Sequence, residues 1–177
     1  NGARKHQKIE DPRYYYLADT KGFLVWGELP SSYQFNDTSI DHVLSEMRAF
    51  VQRDFNHPSI IAWVPMNESW GISRVIDNAQ NQAFAKSLVY LLKSLDGTRF
   101  VSANDGWEQP GDTYICTIHD YSLFAENGEK YGNIDNLLDT YSEHRMLFCK
   151  GEGYKNQPIL ITEFGGIAFD DGRSENW

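Results

Sequence analysis

Cysteine is nearly absent from this chain. Cys116 and Cys149 are the only two, too few for a disulfide framework and not in C-x-x-C spacing. Cys116 falls in the apolar stretch YICTI, and both thiols read as inert, buried groups. No Cys/His cluster has zinc-ligand spacing. Basic residues are also short: 16 Lys and Arg stand against 25 Asp and Glu, a formal charge of −9. No basic stripe offsets repulsion from nucleic acid or an anionic membrane, so neither is expected as a partner. No apolar run approaches the roughly 18 residues a membrane span needs. A basic n-region followed by an apolar h-region is missing as well. The compartment stays open: cytoplasmic, or periplasmic or secreted if a signal precedes Asn1. Neither G-x-G-x-x-G nor G-x-x-x-x-G-K-[ST] occurs, which removes the usual nucleotide-phosphate cradles. There is no internal repeat, low-complexity tract or linker.

What is present is helix and strand in alternation. At 177 residues the chain is long enough for one domain with a substantial core. Asp11-Pro12 opens a helix that Gly22 ends. FLVW at 23–26 reads as a strand buried on both faces. Ile40, Val43, Leu44, Met47, Phe50 and Val51 have helical spacing, with Asp37, Thr38 and Ser39 as candidate caps. Strands follow at Ile60–Val64, at FVSA (100–103), at YICTI (114–118) and at Ile159–Thr162. Helices are expected on Phe84–Leu95 and on Ile134, Leu137, Leu138 and Tyr141. A further short strand is expected near Gly2–Arg4. The Ala103–Tyr114 connection is too short for a crossover helix.

Polar residues recur just past the strand ends: Glu28, Asn67 and Glu68, Asn104 and Asp105, His119 and Asp120, Glu163. A parallel α/β barrel places its chemistry there, on the loops after the strands. A doubly wound sheet would concentrate it at one switch point instead. The fold class is therefore α/β, a (β/α)8 TIM barrel. A whole barrel needs about 250 residues, so an incomplete one is expected, with about strands two to seven present. Glu68 and Glu163 each end an apolar strand, and only the fold can bring them together. Two carboxyl groups about 5 Å apart, one protonated and one ionised, are what retaining glycoside hydrolysis uses. For either Glu alone, a structural salt bridge is the competing reading.

Four stretches carry a resemblance: RKHQKIEDPRYYYLAD (4–19), FLVWGELP (23–30), RDFNHPSIIAWVPMNES (53–69) and ILITEFGG (159–166). Together they resemble the catalytic barrel of glycoside hydrolase family 2, the β-galactosidase, β-glucuronidase and β-mannosidase group. The resemblance implies that Glu68 is the acid/base and Glu163 the nucleophile of a retaining, exo-acting enzyme. The substrate class is then β-glycoside carbohydrate, β-galactosidase-like in first place. β-Glucuronidase, β-mannosidase and a carbohydrate-binding barrel without catalysis are the alternatives. It implies that Asn67 contacts the sugar 2-hydroxyl. It also implies that residues 1–177 are part of one barrel domain, without the accessory β-sandwich domains. A homo-oligomer of the full-length protein stays open.

The supporting residues each carry a second reading. Arg4 and His6 lie near the nucleophile or serve structure. Tyr121 is placed to hydrogen-bond Glu163. His119 and Asp120 contact sugar hydroxyls or bond within their loop. Trp70 and Trp107 are sugar platforms or loop packing, and Glu28 lines the pocket or pairs with Arg4. The family's metal-dependent members carry Glu-x-His after the third strand. Here that region reads GELPSSYQF, so no metal ligand and no cofactor is expected.

Overall fold

The computed structural model describes residues 1–122, 130–139 and 145–165. Four parallel strands form one sheet in sequence order: β1 (Gly2–Arg4), β2 (Leu24–Glu28), β3 (Ile60–Val64) and β4 (Phe100–Val101). Two more, β5 (Cys116–Asp120) and β6 (Ile159–Phe164), form a second parallel pair. The sheets are stitched together between β4 and β5. The Tyr114 N–H donates to the Val101 carbonyl at 3.0 Å and the His119 N–H to the Gly106 carbonyl at 3.3 Å. An isolated bridge, Asn67 with Asp105, carries the β3–β4 pairing beyond the strands themselves.

Helices α1 (Pro12–Lys21), α2 (Asp37–Asp54) and α3 (Ala79–Leu95) connect β1 to β4 in turn. Their ends follow local chemistry. Asp11 caps α1 through the Arg13 N–H, Pro12 holds the first turn, and Gly22 ends it at φ 63°, in the left-handed region. Helix α2 starts on a capping box. The Asn36 side chain accepts from the Ser39 N–H, and Ser39 Oγ accepts from the Asn36 N–H. The cap is thus Asn36 rather than Asp37, Thr38 or Ser39, with Ser39 as its reciprocal partner. No helix lies between β4 and β5, as the short connection required. A six-residue helix, α4 (Ile134–Asp139), precedes β6; Tyr141 lies outside the described residues.

The apolar faces of α1–α3 close over the first sheet. Tyr15, Val25, Met47, Phe50, Ile60, Trp63, Leu88, Leu92 and Val101 are fully or almost fully buried in one cluster. Each large aliphatic side chain there contributes about 1.5–3 kcal/mol. Trp63 meets Phe50 edge-on at 5.0 Å and donates its indole N–H to Asp96 at 2.9 Å. A smaller cluster of Cys116, Ile118, Leu147 and Phe148 lies behind β5. Burial pushes both cysteine thiols up to about 12, so each stays neutral at physiological pH. Among the described residues, no helix is long and apolar enough to cross a membrane.

Two strands sit further along the chain than hydropathy suggested. β5 is Cys116–Asp120 rather than 114–118, and β6 runs to Phe164. His119, Asp120 and Glu163 are therefore strand residues. Tyr114 is left exposed, with Lys93 Nζ 4.0 Å above its ring.

Candidate active site

The carboxyl ends of β1, β2, β3, β5 and β6 and the turn after β4 converge on one cluster. Its centre is Arg4, the last residue of β1. The guanidinium reaches Glu28 on β2 at 3.0 Å, Asp105 after β4 at 2.5 Å and Glu163 on β6 at 2.5 Å. It also donates to Asn67 Oδ1 at 3.2 Å and contacts His6 Nδ1 at 2.9 Å. One cation thus faces three carboxylates, two of which, Glu28 and Asp105, are fully buried. Pairing makes a buried charge tolerable, although Arg4 Nε and Glu28 Oε2 meet as an ion pair without hydrogen-bond geometry.

The carboxylates respond differently. Burial pushes Glu28 up to about 8, against the opposing pull of Arg4 and assisted by the nearby charge of Asp105. Glu28 accepts the Gln7 N–H at 2.7 Å and belongs to the support of Arg4, not to the cleft wall. Burial alone would raise Asp105, but its hydrogen bond to His119 and the Arg4 charge outweigh that and hold it below the usual carboxylate range.

Glu68 sits on a strained turn. Beyond Val64 the chain continues through Pro65 and Met66 to Asn67. Glu68 and Ser69 then both adopt positive φ, 50° and 61°, which costs a non-glycine residue about 1–2 kcal/mol. The surroundings over-determine the turn. The Glu68 N–H donates to the Asp105 carbonyl, and the Ser69 N–H to Asn104 Oδ1, both at 2.9 Å. Ser69 Oγ donates to Glu108 at 2.5 Å and accepts from Asn104 at 3.0 Å. The strain aims the Glu68 side chain at His119, whose Nδ1 lies 2.7 Å from Glu68 Oε1. Burial would raise Glu68, but the contacts with His119 win and hold it low.

Glu163 enters from the far edge, on β6. It receives two N–H groups of Arg4, and Tyr121 donates its hydroxyl to the other oxygen. Burial and this bond to Glu163 raise the Tyr121 phenol, which stays protonated and able to donate. One oxygen of Glu68 and one of Glu163 lie within 4.8 Å of each other, and one nitrogen of His119 lies within that distance of both. The three atoms have metal-ligand spacing, and Arg4 brings a positive charge beside them. Its Nη1 is 2.7 Å from Glu163 and 3.3 Å from His119. The arrangement is an ion-pair network.

Two clefts open beside the cluster. The smaller, about 390 Å³, is lined by both glutamates and by His6, Tyr33, Trp70 and Tyr121, among others. The larger, about 730 Å³, shares Glu68, Trp70 and Tyr33 but not Glu163, and extends to Trp107, Glu108 and Arg145.

Of the residues singled out in the sequence, Arg4, His6, Asn67, Glu68, Tyr121 and Glu163 come together here. Trp70, half exposed, lies at the mouth of both clefts, edge-on to Tyr33 at 6.4 Å. Three others take the second of the two readings open to them. His119 is fully buried between carboxylates rather than presented to sugar hydroxyls. Asp120 is 3% exposed and taken up by Ser122, Lys130 and Tyr131, an anchoring role within its own segment. Trp107 is 8% exposed and meets the His119 ring edge-on at 5.7 Å, which makes it packing for His119 more than an open platform. Sequence reasoning left out Asp105, Tyr33 and Gln7. Only Asp105 carried a signal, as an acid just past a strand end.

Parallel strands joined by helices, with Arg4, Glu28, Glu68, Asp105, His119 and Glu163 gathered at one set of strand ends, define a barrel-type α/β domain. The chain belongs to a specific family of these: residues 4–174 match the model for glycosyl hydrolases family 2, TIM barrel domain. It is 30% identical over 163 residues to a β-glucuronidase of Sus scrofa, covering 84% of this chain and 23% of that protein. It is 27% identical over 160 residues to a β-galactosidase of Thermoanaerobacterium thermosulfurigenes, covering 89% and 19%. The solved β-D-glucuronidase of Dictyoglomus thermophilum shares the fold, with a TM-score of 0.69 at 18% identity over 99% of this chain and 32% of that one. The chain spans about a fifth of the length of the curated relatives it matches.

Proposed function

We propose that this chain carries the catalytic pair of a retaining β-glycosidase, with Glu163 as nucleophile and Glu68 as acid/base. One observation carries the reading: the two carboxylates approach within 4.8 Å. Double displacement requires about 5–5.5 Å, whereas an inverting enzyme needs about 6.5–9.5 Å to admit a water between them. Glu163 is oriented by Arg4 and Tyr121, as a group that must attack a single carbon needs to be. It forms the glycosyl–enzyme bond while Glu68 protonates the leaving oxygen. Glu68 then takes a proton from the water that releases the sugar. Asn67 is fully buried with Oδ1 bound to Arg4, and its Nδ2 has no partner among the described residues. That donor suits a sugar 2-hydroxyl, a contact that strengthens at the transition state.

The smaller cleft, which holds both glutamates, is the seat of the terminal sugar. The larger one touches Glu68 alone, so it lies on the side from which the leaving group departs. Among the described residues lining the smaller cleft there is no Lys or Arg, which supports a neutral sugar over a uronate and puts a β-galactosidase-like substrate first. The barrel reading takes β1 to β6 as the second to seventh strands of a complete barrel. One substitution and one labelling experiment on the full-length protein test the assignment. Glu163→Gln should cost at least about a thousandfold in turnover, about 4 kcal/mol. A 2-deoxy-2-fluoro glycoside should label Glu163 covalently. Undiminished turnover in the variant ends the reading; labelling without turnover in the parent would reassign the barrel to carbohydrate binding.

A further inference from the structure

The two-carboxylate scheme has no task for His119, yet it is a fully buried titratable group in contact with Glu68. Its Nδ1 is 2.7 Å from Glu68 Oε1 and its Nε2 is 3.0 Å from Asp105 Oδ2. A neutral imidazole has a single N–H. A carboxylate on each ring nitrogen therefore requires one more proton, either on the ring or on Glu68. Charged groups face the ring from separate elements, among them Glu68 after β3, Asp105 after β4, Arg4 from β1 with Nη1 at 3.3 Å, and Glu163 from β6 at 3.6 Å. Nε2 lies closer to Asp105 than to Arg4, and a buried carboxylate takes an N–H there rather than facing a lone pair. Burial alone would lower His119, but its bonds to Asp105 and Glu68 reverse that and bring it to about 9. Glu68 is held low by the same contact, so in the resting state the extra proton sits on the ring. Packing fixes the ring as well. Gly106, at φ 109°, leaves room for it: a Cβ there would stand 2.7 Å from Nδ1. Trp107 closes another side, edge-on.

We propose that His119 is a positioning residue that stores the proton Glu68 delivers, with Asp105 holding the opposite N–H of the ring. The inference rests on the acid/base reading of Glu68, and it resolves a conflict within it: a general acid must be protonated, and Glu68 at rest is not. The proton passes from His119 Nδ1 to Glu68 Oε1, leaving the ring neutral with its hydrogen on Nε2. The carboxyl turns to the cleft and protonates the leaving oxygen as its bond to the sugar carbon breaks and the bond from Glu163 forms. In the second half, water attacks that carbon and the bond to Glu163 breaks. Glu68 takes the water's proton and His119 Nδ1 recovers it. One water is consumed, and every proton is returned.

The test compares pH profiles of kcat/KM for an alkyl β-glycoside, whose leaving group needs protonation, and a 2,4-dinitrophenyl β-glycoside, whose leaving group does not. In the full-length protein carrying His119→Gln, the alkyl substrate should lose about a hundredfold at pH 8. Its alkaline limb should move down toward the ordinary carboxylate range. The dinitrophenyl substrate should lose far less. Equal losses on both substrates, or an unmoved alkaline limb, would leave His119 a packing residue only. Glu68→Ala is the control for the underlying assignment. It should spare the dinitrophenyl substrate's first step and regain turnover with azide. If it does not discriminate between substrates, the acid/base reading falls and takes this inference with it. If it does while His119→Gln does not, the inference alone falls. Should His119→Gln fail to fold, 15N NMR of the unaltered protein decides. Both ring nitrogens of His119 protonated at pH 7 supports the store, and a singly protonated ring overturns it.

Discussion

Arg4 and Glu163, 159 positions apart in the chain, meet in a two-pronged ion pair at 2.5 and 2.7 Å. One ends the outermost strand of the first sheet and the other lies on the outer strand of the second. The same guanidinium compensates Glu28 and Asp105. Its removal strands the buried carboxylate of Asp105, and breaking such a pair costs about 3–5 kcal/mol. Arg4→Ala should therefore lower unfolding free energy by that amount in urea titration, and abolish turnover as well. Arg4→Lys should recover part of the stability and little of the activity, because an ammonium cannot reproduce the fork.

Tyr121 offers a cleaner separation of function from folding. It is 41% exposed and its hydroxyl serves Glu163. Hydrogen bonds to charged acceptors are worth about 1.5–3 kcal/mol. Tyr121→Phe should reduce kcat/KM by about 10- to 100-fold and shift Tm little. An unchanged rate would show that Arg4 alone positions the nucleophile.

Glu28 gives a pH signature. Its folded value, about 8, lies above its ordinary 4.5. Between those limits the unfolded chain releases this proton while the folded chain retains it. Its contribution to stability is thus full below pH 4.5 and is lost as pH rises toward 8, with no further change above. Glu28→Gln cannot titrate. The Tm of the parent minus that of the variant should fall across this window and be level on either side. A flat difference would mean that Glu28 is ionised in the fold.

Asp96 tests stability far from the cleft. Burial would raise it, but bonds from Thr98, Arg99 and Trp63 hold it well below the usual carboxylate range. Its stabilisation is present above the ordinary Asp value and is lost as pH falls from there through the lower folded value. Asp96→Asn should cost about 3 kcal/mol at neutral pH. It should leave kcat per folded molecule unchanged, since none of its partners lines either cleft.

Much of the architecture was legible locally. Asp11-Pro12 and Gly22 bound α1 because capping needs only near neighbours, and Ile60–Val64 stands out as an uninterrupted apolar run. The two catalytic candidates were legible as acids that end such runs. The misplacement of β5 by two residues has a specific cause. His119 is buried by carboxylates from other segments and Asp120 by Ser122, Lys130 and Tyr131 just downstream, and hydropathy assigns buried ionisable residues to loops. Asp105 stood out as an acid just past a strand end, but its full burial beneath Arg4 and His119 depends on distant segments.

By itself, the order of residues determined the alternation of helix and strand, the caps, and which strands end in acids, since these depend on propensity and on contacts within a few positions. Tertiary structure alone decided which acids share a cation and where protons rest. Those depend on distances between Arg4, Glu68, Asp105, His119 and Glu163, and on excluding water from around them, because a charge's energy is set by its neighbours in space and by the local dielectric.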